Sequence, residues 1–251
     1  MTISTPEELQ KLEAVGRIVA NCLAYLKART RAGMTTLEID DLATAFLAKE
    51  GALSAPRSEY KFPGTVCISV EREAAHGIPS DRIIRDGDLV NIDVSAKRDG
   101  FFADNGESFV VGRGNKLKRK LCTEVERALM AAIKSIRTGS RIAHVGQAVE
   151  QVARSAGFTV IENLCGHGVG KSLHEAPKYI PSYYDPKDKR VFKRGQVVAI
   201  EPFLSNGGSQ VDEAADGWTL YLDRHYAAQK EHTVVVTDEG AKILTLPSRT
   251  Y

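Results

Sequence analysis

The sequence lacks an excess of charge of either sign, since 34 lysines and arginines stand against 32 aspartates and glutamates among its 251 residues. A formal net charge of +2 removes the electrostatic basis for binding nucleic acid or a membrane surface. Hydrophobic residues at 43% and charged residues at 26% are ordinary values for a globular protein, which excludes disordered and fibrous classes. The chain is long enough to bury a core as one large domain or two small ones.

Long apolar runs and paired cysteines are also missing. Residues 1–10 contain no basic segment followed by an apolar one, and nowhere do about 18 apolar residues follow one another. The sequence therefore predicts neither a signal peptide nor a membrane span. The cysteines form no C-x-x-C pair and are widely spaced, at Cys22, Cys67, Cys122 and Cys165. This spacing argues against a disulfide framework or a thiolate zinc site and favours a cytoplasmic location.

Helical and extended patterns alternate twice along the chain. Apolar residues spaced by three and four predict amphipathic helices over residues 6–29, capped by Thr5, and 36–49. Short runs rich in β-branched residues predict strands over 65–70, 88–94 and 101–111. The same order then returns, with helices predicted over 116–136 and 142–155 and strands over 196–201, 218–222 and 233–237.

Two pairs of similar segments suggest that the chain is a duplication. The spacing of Gly33 and Gly51 returns in Gly139 and Gly157, and the segment 86–93 resembles the segment 194–201 at nearly the same offset. We expect an α/β (α+β) fold with one catalytic domain, residues 1–251, made of two halves at about 5–114 and 115–248. If the halves pack face to face, Asp93 and Glu201 become equivalent and point into one crevice. The alternative is that both matches are common turn-and-strand patterns.

Carboxylates and histidines cluster beside the predicted strands. Two adjacent antiparallel strands, joined by a turn at 97–100, would bring Asp93 and Asp104 to one face. Glycines on both sides of His167 are expected to expose its imidazole for coordination or proton transfer. The other candidates lie in short motifs around His174, Glu201, Glu231 and His76. Taken singly, each motif has a structural alternative, such as a cap, a turn or a flexible loop.

Taken together, these residues indicate bound cations. Four buried carboxylates would cost more than a fold with about 5 to 15 kcal/mol of net stability can carry, unless they are neutralised. Two divalent ions balance four negative charges, and such a centre activates a nucleophilic water and polarises a carbonyl or phosphoryl oxygen. One imidazole and four carboxylates are hard ligands that suit Mn, Fe, Co or Zn. The sequence therefore predicts a two-metal hydrolytic site.

The order and spacing of these motifs are specific. D-x10-D, G-H-G-x-G-x-x-x-H-E-x-P, I-E-P and E-H-T resemble the motifs of the bacterial type I methionine aminopeptidases over essentially the whole chain. The sequence shows neither an amino-terminal zinc-finger extension nor the helical insertion of the type II enzymes. The resemblance implies the pita-bread metallopeptidase fold, in which pseudo-twofold halves surround a central curved sheet. It also implies removal of the initiator methionine when the second residue is small, through attack of a metal-activated hydroxide on the amide carbonyl.

The resemblance assigns a role to each candidate residue. It makes Asp104 and Glu231 bridging ligands of two divalent ions, with Asp93 chelating one ion and His167 and Glu201 binding the other. Glu201 is also expected to accept a proton, His174 to stabilise the oxyanion and His76 to bind the scissile amide or the residue after it. The substrate pocket implied in this way comprises Phe62, Cys67, His76, Leu173, His174 and Trp218. We expect the substrates to be peptides and nascent chains with an amino-terminal methionine, and the protein to be a monomer.

Some features depart from the family pattern or stay open. The family usually has Asn and then an acid where this chain has Glu71 and Arg72, and commonly Thr where it has Asn105. We expect such changes to alter the orientation of the ligands, at a cost of about 10- to 100-fold in metal affinity or rate. The basic run from Lys116 to Lys120 is either a solvated helix face or a transient contact with the ribosome.

Three alternative functions remain. A proline-directed aminopeptidase would use a similar ligand set, but those enzymes usually carry a large amino-terminal domain for which this chain has no room. A non-catalytic binding module of the same fold would typically have lost some of the five ligands. A cysteine peptidase built on Cys165 and His167 is disfavoured, since we expect those two side chains to face apart.

Overall fold

The structure is a computed structural model that describes residues 1–248 and 251. The end of the predicted domain at residues 249 and 250 lies outside the described residues. The helices are α1 (Pro6–Arg29), α2 (Thr36–Lys49), α3 (Ala55–Tyr60), α4 (Lys116–Lys134) and α5 (Ala143–Ala156). The strands are β1 (Leu53–Ser54), β2 (Cys67–Val70), β3 (Glu73–Ala75), β4 (Leu89–Arg98), β5 (Phe101–Val110), β6 (Thr159–Val160), β7 (Cys165–Gly168), β8 (Glu175–Pro181), β9 (Val197–Ile200), β10 (Phe203–Ser205), β11 (Asp212–Glu213), β12 (Leu220–Tyr221), β13 (Ala227–Gln229), β14 (His232–Val236) and β15 (Ala241–Ile243).

The ends of the long helices follow from local capping. The Thr5 hydroxyl accepts a hydrogen bond from the amide of Glu8 at 3.2 Å, which confirms the predicted start of α1. Thr35 and Glu38 form a reciprocal capping box at the start of α2. The predicted end of α4 at residue 136 is wrong by two residues, because the helix stops at Lys134. Helix α5 ends at Ala156 and is capped by Gly157, whose φ of 78° is the left-handed conformation that glycine adopts without strain.

One sheet has the strand order β1-β4-β2, with β5 also paired to β4. Strands β4 and β5 form an antiparallel hairpin that pairs Leu89 with Val110 at one end and Arg98 with Phe101 at the other. The two-residue turn uses Asp99 and Gly100, both with positive φ, as expected for a turn that matches the strand twist. The hairpin predicted from the sequence is therefore confirmed.

A second sheet has the order β15-β14-β9-β7-β8, and its paired strands are antiparallel. Two smaller sheets, β13-β10-β6 and β11-β12-β3, lie beside the larger ones. The sequence did not predict β7, which reads Cys-Gly-His-Gly and lacks the β-branched residues that usually mark a strand. Strand β8 was likewise not predicted.

Each pair of long helices packs on its own sheet. Leu12, Val19 and Leu26 of α1 share an apolar core with Ile92 and Val94 of β4. Leu121 and Leu129 of α4 and Val149 of α5 pack with Val198 of β9 and Val234 of β14. This mixed helix and sheet content confirms the expected class, while the division into duplicated halves stays a prediction. No helix among residues 1–248 and 251 is both long and apolar enough to cross a membrane.

Candidate metal centre and cavity

The β4–β5 hairpin brings two aspartates to one face of its sheet. Asp93 pairs with Gly106, and Ser95 pairs with Asp104, so the two carboxylates are diagonal neighbours across the strands. Burial raises the pKa of both carboxyl groups, and both side chains line the same cavity. The burial of Asp104 is nearly complete, with 6% of the residue exposed.

The second sheet supplies a histidine and two glutamates. His167 of β7 pairs with Ala199 of β9, and Glu201 follows the end of β9 directly. Glu231 directly precedes β14, where His232 pairs with Ile200. Because β9 and β14 are antiparallel neighbours, the end of one and the start of the other lie at the same edge. The two glutamates therefore meet beside His167.

Hydrogen bonds join the two sheets at this edge. The amide of Asp104 donates to the Thr233 hydroxyl at 2.9 Å, and that hydroxyl donates back to the Asp104 carbonyl at 2.8 Å. The amide of Glu231 donates to the carbonyl of Gly106 at 2.9 Å. These bonds hold β5, which carries Asp104, against β14, which follows Glu231. Ligands from distant parts of the chain are thereby held in one place.

The five predicted ligands converge on one cluster. Single ligand atoms of Asp104, His167 and Glu231 lie within 4.8 Å of one another. His167 Nε2 is 3.2 Å from Glu201 Oε1 and 3.9 Å from Asp104 Oδ2. Asp93 completes the group, since it is the diagonal neighbour of Asp104 across the strands and lines the same cavity. The structure thus brings together all five side chains in a region that is largely closed to bulk water.

The electrostatics of this cluster are unfavourable without a cation. Burial, followed by the charges of Asp93 and Glu201, raises the pKa of Asp104 well above its usual value. Burial, followed by Asp104 and Glu201, does the same to the pKa of Glu231. One carboxylate oxygen each of Asp93, Asp104 and Glu231 is buried without a hydrogen-bond partner. Such oxygens are costly unless a proton or a metal ion occupies the space between them.

The protonation of His167 also fits a metal ligand. Its Nδ1 lies 3.0 Å from the carbonyl oxygen of Gly168, and a carbonyl oxygen only accepts, so Nδ1 carries the proton. Nε2 then faces the Glu201 and Asp104 carboxylates. Burial alone would lower the pKa of His167, but Glu201 outweighs it and raises the pKa, so this nitrogen needs a proton or a metal ion beside the carboxylates. The donor set is hard and oxygen-rich, and a divalent metal fits it.

The expected exposure of His167 is wrong, because only 4% of this residue is exposed. The flanking glycines instead leave room for the backbone of the neighbouring strands. A Cβ at Gly166 would collide with the carbonyl oxygen of Ala199 in β9, and one at Gly168 with the carbonyl oxygen of Ala176 in β8. The glycines therefore let three strands approach closely around the histidine.

An amide network supports Glu231 and was not found from the sequence. Gln229 donates from Nε2 to Glu231 Oε2 at 2.9 Å, and its Oε1 accepts from Asn91 Nδ2 at 2.8 Å. Asn91 Nδ2 and the backbone amide of Gln229 both donate to the Ser108 hydroxyl, at 3.1 Å and 2.9 Å. A Cβ at Gly106 would strike the Gln229 amide. Asn91 and Gln229 stand beside Asp93 and Glu231 in the sequence, but their pairing could not be predicted because they are 138 residues apart.

Four of the five cluster residues, all except Glu231, line a cavity of about 630 Å³. Phe62 and Trp218 meet edge to face in its wall, with ring centroids 5.2 Å apart. All the side chains expected to bind substrate line this cavity, namely Phe62, Cys67, His76, Leu173, His174 and Trp218. The sequence did not single out Tyr60, Lys178, Tyr179 and Phe203, which line it too.

His76 and His174 contribute their rings to the cavity wall. The His174 ring lies close to the ring of His167, with centroids 4.0 Å apart. Burial of the ring, followed by the charges of His167 and His76, lowers the pKa of His174. Burial of its ring also lowers the pKa of His76. Both rings are therefore neutral at pH 7 and present one N–H donor each.

The unusual residue Glu71 does not reach the cluster. Its carboxylate accepts from the ammonium of Lys118 and, at 2.8 Å, from the amide of Leu89. Lys118 is buried with 6% exposure and also donates to the carbonyl of Gly87, so the basic run is not simply a solvated helix face. Asn105 pairs with Val94 in the ladder and has a buried side-chain oxygen without a partner.

The expectation that Cys165 and His167 face apart is wrong. Residues two apart in a strand share a face, and both side chains line the cavity. The cysteine peptidase is disfavoured for a different reason. Burial, and then the charge of Glu201, raises the pKa of the Cys165 thiol to about 11, so the reactive thiolate is scarce.

The chain matches Metallopeptidase family M24 over residues 10–238. It is 47% identical over 247 residues to a methionine aminopeptidase of Staphylococcus epidermidis, with 98% of each chain covered. The solved structure of methionine aminopeptidase from Thermotoga maritima has a TM-score of 0.94 at 33% identity, with 98% of this chain and 100% of that one covered. A prolidase from Pyrococcus furiosus shares the fold, with a TM-score of 0.78 at 24% identity over 99% of this chain and 66% of that one. The chain therefore has the pita-bread fold and belongs to the metal-dependent peptidases of family M24.

Proposed function

We propose that the protein removes the amino-terminal methionine from peptides and nascent chains whose second residue is small. The main support is a cluster of ligand-type side chains, of which Asp93, Asp104, His167 and Glu201 line a cavity with partly aromatic walls and Glu231 lies beside Asp104 and His167. The relatives that match along the full chain are named methionine aminopeptidases.

The cluster would hold two divalent ions, chosen from Co, Mn, Fe and Zn. Asp93, Asp104, Glu201 and Glu231 supply four negative charges, and the three partnerless oxygens among them give room for cations. When bound, such a pair supplies Lewis acidity toward a carbonyl oxygen and lowers the pKa of water. Two ions are the number that neutralises the carboxylates.

Glu201 would move the proton during hydrolysis. Its carboxylate lies in the cavity wall, and burial raises its pKa above the usual value. A carboxylate with a raised pKa is a better proton acceptor near neutral pH. We assign to Glu201 the removal of a proton from the attacking water and its delivery to the departing amine.

The two neutral histidines would bind the peptide group. His174 would donate a hydrogen bond to the carbonyl oxygen as it gains negative charge, and His76 would hold the scissile amide or the following residue. Preorganised donors of this kind stabilise the transition state more than the ground state.

The methionine side chain would occupy the apolar part of the cavity. Phe62, Leu173 and Cys67 are buried, and Trp218 meets Phe62 beside them. A thioether makes favourable contacts with aromatic rings of this kind. The limited volume near the cluster would favour a small second residue in the substrate.

The test is hydrolysis of Met-Ala-Ser and Ala-Pro-Ala by protein loaded with each metal, together with elemental analysis of anaerobically prepared protein. We expect cleavage of Met-Ala-Ser and about two metal equivalents per chain. Preferential cleavage of Ala-Pro-Ala would favour the proline-directed alternative. Absence of both metal and hydrolysis would favour a binding module.

Other parts of the proposal need separate measurements. A monomer is expected from the family resemblance, and sedimentation velocity tests it. A transient contact with the ribosome is tested by co-sedimentation, and cytoplasmic location by fractionation of the source cells. The basic run offers few free groups for such a contact, since Lys118 binds Glu71 and Lys120 donates to the carbonyl of Ala156.

A further inference from the structure

We propose that the Tyr60 hydroxyl fixes His174 in the tautomer that carries its proton on Nε2, so that His174 offers this N–H to the substrate carbonyl. Tyr60 is then a positioning residue that acts through His174. This inference rests on the proposed function, in which His174 binds the peptide group.

The contact joins parts of the chain that are 114 residues apart. The hydroxyl oxygen of Tyr60 lies 2.7 Å from Nδ1 of His174, and the ring centroids are 5.5 Å apart with the planes tilted by 58°. The distance is that of a good hydrogen bond. Both rings line the cavity above the metal cluster.

Tyr60 is held in place although 43% of it is exposed. It is the last residue of α3, whose first turn is capped by the Ser54 hydroxyl. Lys61 then turns the chain in the left-handed conformation, with φ of 60°, and the amide of Phe62 donates to the carbonyl of Pro56 at 3.2 Å. Phe62 itself is only 2% exposed. The buried neighbour therefore anchors the turn that presents Tyr60 to His174.

The chemistry of the pair decides where the protons lie. A phenol hydroxyl is a stronger acid than a neutral imidazole N–H, and burial raises the pKa of Tyr60 further, so the hydroxyl keeps its proton at neutral pH. That proton needs an acceptor, and Nδ1 of His174 lies within reach. A nitrogen that accepts this proton in a hydrogen bond cannot carry a proton of its own. The single proton of the neutral His174 ring is then left to Nε2.

The placement of this proton affects the chemistry directly. With the proton on Nε2, the other nitrogen is occupied by Tyr60, and the free N–H is available to an oxyanion in the cavity. With the proton on Nδ1, His174 would present a lone pair to the developing negative charge and repel it. A second-sphere hydrogen bond of this kind fixes the tautomer of metal-ligating histidines in the same way.

The test compares Tyr60→Phe with a control, Tyr184→Phe, which removes a hydroxyl from a residue that does not line the cavity. Zinc-loaded holoenzyme is used throughout. From the usual strength of one hydrogen bond, we expect Tyr60→Phe to lower kcat for Met-Ala-Ser about 2- to 10-fold with KM nearly unchanged. Tyr184→Phe is expected to change neither constant. Combined with His174→Ala, the loss of the Tyr60 hydroxyl should have no further effect on kcat.

A spectroscopic measurement tests the tautomer without reference to activity. In ¹⁵N-histidine-labelled zinc holoenzyme, assigned by comparison with His174→Asn, we expect an unprotonated Nδ1 and a protonated Nε2 for His174. Tyr60→Phe should produce a mixture of the two tautomers. A protonated Nδ1 in the unsubstituted protein, or a spectrum and kcat unchanged by Tyr60→Phe, would overturn the proposal. If the protein fails to cleave Met-Ala-Ser at all, the proposed function is wrong, while the spectrum still decides the tautomer.

Discussion

Gln229 donates from its side-chain Nε2 to Oε2 of Glu231 at 2.9 Å, leaving Glu231 Oε1 without a partner. The Gln229 amide therefore gives the two oxygens of the Glu231 carboxylate different roles. One oxygen is fixed by the protein, and the other is available to a cation. Because Gln229 and Glu231 are each 1% exposed, water cannot replace this bond.

We expect Gln229→Met to weaken metal binding by about 10- to 100-fold, the usual effect of removing a group that orients a ligand. The substitution keeps a similar volume and removes the donor. Isothermal titration of chelator-treated protein with Zn²⁺ measures the dissociation constant. Gln151→Met, on the exposed side of α5, is the matched control. An unchanged dissociation constant for Gln229→Met would show that the amide does not support Glu231.

Glu201→Gln should keep the fold and lower kcat by about 10²- to 10⁴-fold, the range for loss of a proton-transfer group. The substitution is isosteric and removes the basic oxygen that lies 3.2 Å from His167 Nε2. Hydrolysis of Met-Ala-Ser and metal content are measured on the same preparation, so that loss of metal is separated from loss of the base. Glu239→Gln at an exposed position serves as control. Near-normal turnover by Glu201→Gln would remove this residue from the mechanism.

Gly168→Ala should destabilise the protein by about 1 to 3 kcal/mol, because the added Cβ meets backbone atoms that cannot move aside easily. For a chain of this length, each kcal/mol corresponds to roughly 2 to 4 °C in melting temperature. Calorimetry measures the shift. Gly240→Ala is the control, since the nearest atom to its Cβ would be the Ile136 carbonyl oxygen at 4.0 Å. Equal melting temperatures for the two variants would contradict the steric role of Gly168.

Glu107 should contribute stability that depends on pH. Burial alone would raise its pKa, but the ammonium groups of Lys230 and Lys27 outweigh burial and lower it. A group with a lowered folded-state pKa contributes fully above its unfolded pKa of about 4.3, and the contribution is lost as the pH falls through the folded value. Glu107→Gln should therefore cost about 1.5 to 3 kcal/mol at pH 7.

Thermal unfolding from pH 7 down to below pH 4 measures this dependence. The difference in stability between Glu107→Gln and the unsubstituted protein should shrink as the pH is lowered. Glu124→Gln breaks the pair of Glu124 with the exposed Arg127 and should change stability by less than about 1 kcal/mol. A difference that stays constant across the pH range would rule out the ion-pair explanation for Glu107.

Features set by local patterns were predictable from the sequence. The start of α1 follows from the Thr5 cap and the apolar spacing behind it, and the β4–β5 hairpin follows from two β-branched runs around a short turn. Strand β7 was missed because its glycines and histidine carry no strand pattern. Its extended form is imposed by pairing with β8 and β9, which local propensity does not encode.

The candidate site was predictable as a set of residue types but not as a network. The five ligand-type residues lie in recognisable motifs, and the structure brings them together. Asn91, Gln229 and Tyr60 were given no role from the sequence, since each acts on a partner that only the folded chain places nearby. The exposure of His167 was judged from its glycine neighbours, whereas neighbouring strands fill the space that those glycines leave.

The reciprocal hydrogen bonds between Asp104 and Thr233 have a consequence for biosynthesis. Residues of β5 are synthesised long before those of β14. Asp104 therefore cannot form its two hydrogen bonds with Thr233 until β14 has left the ribosome and docked beside β5. A chain made only as far as β5 therefore contains Asp93 and Asp104 but lacks His167, Glu201 and Glu231. We therefore expect these residues to bind metal only after β14 has been made and has docked beside β5.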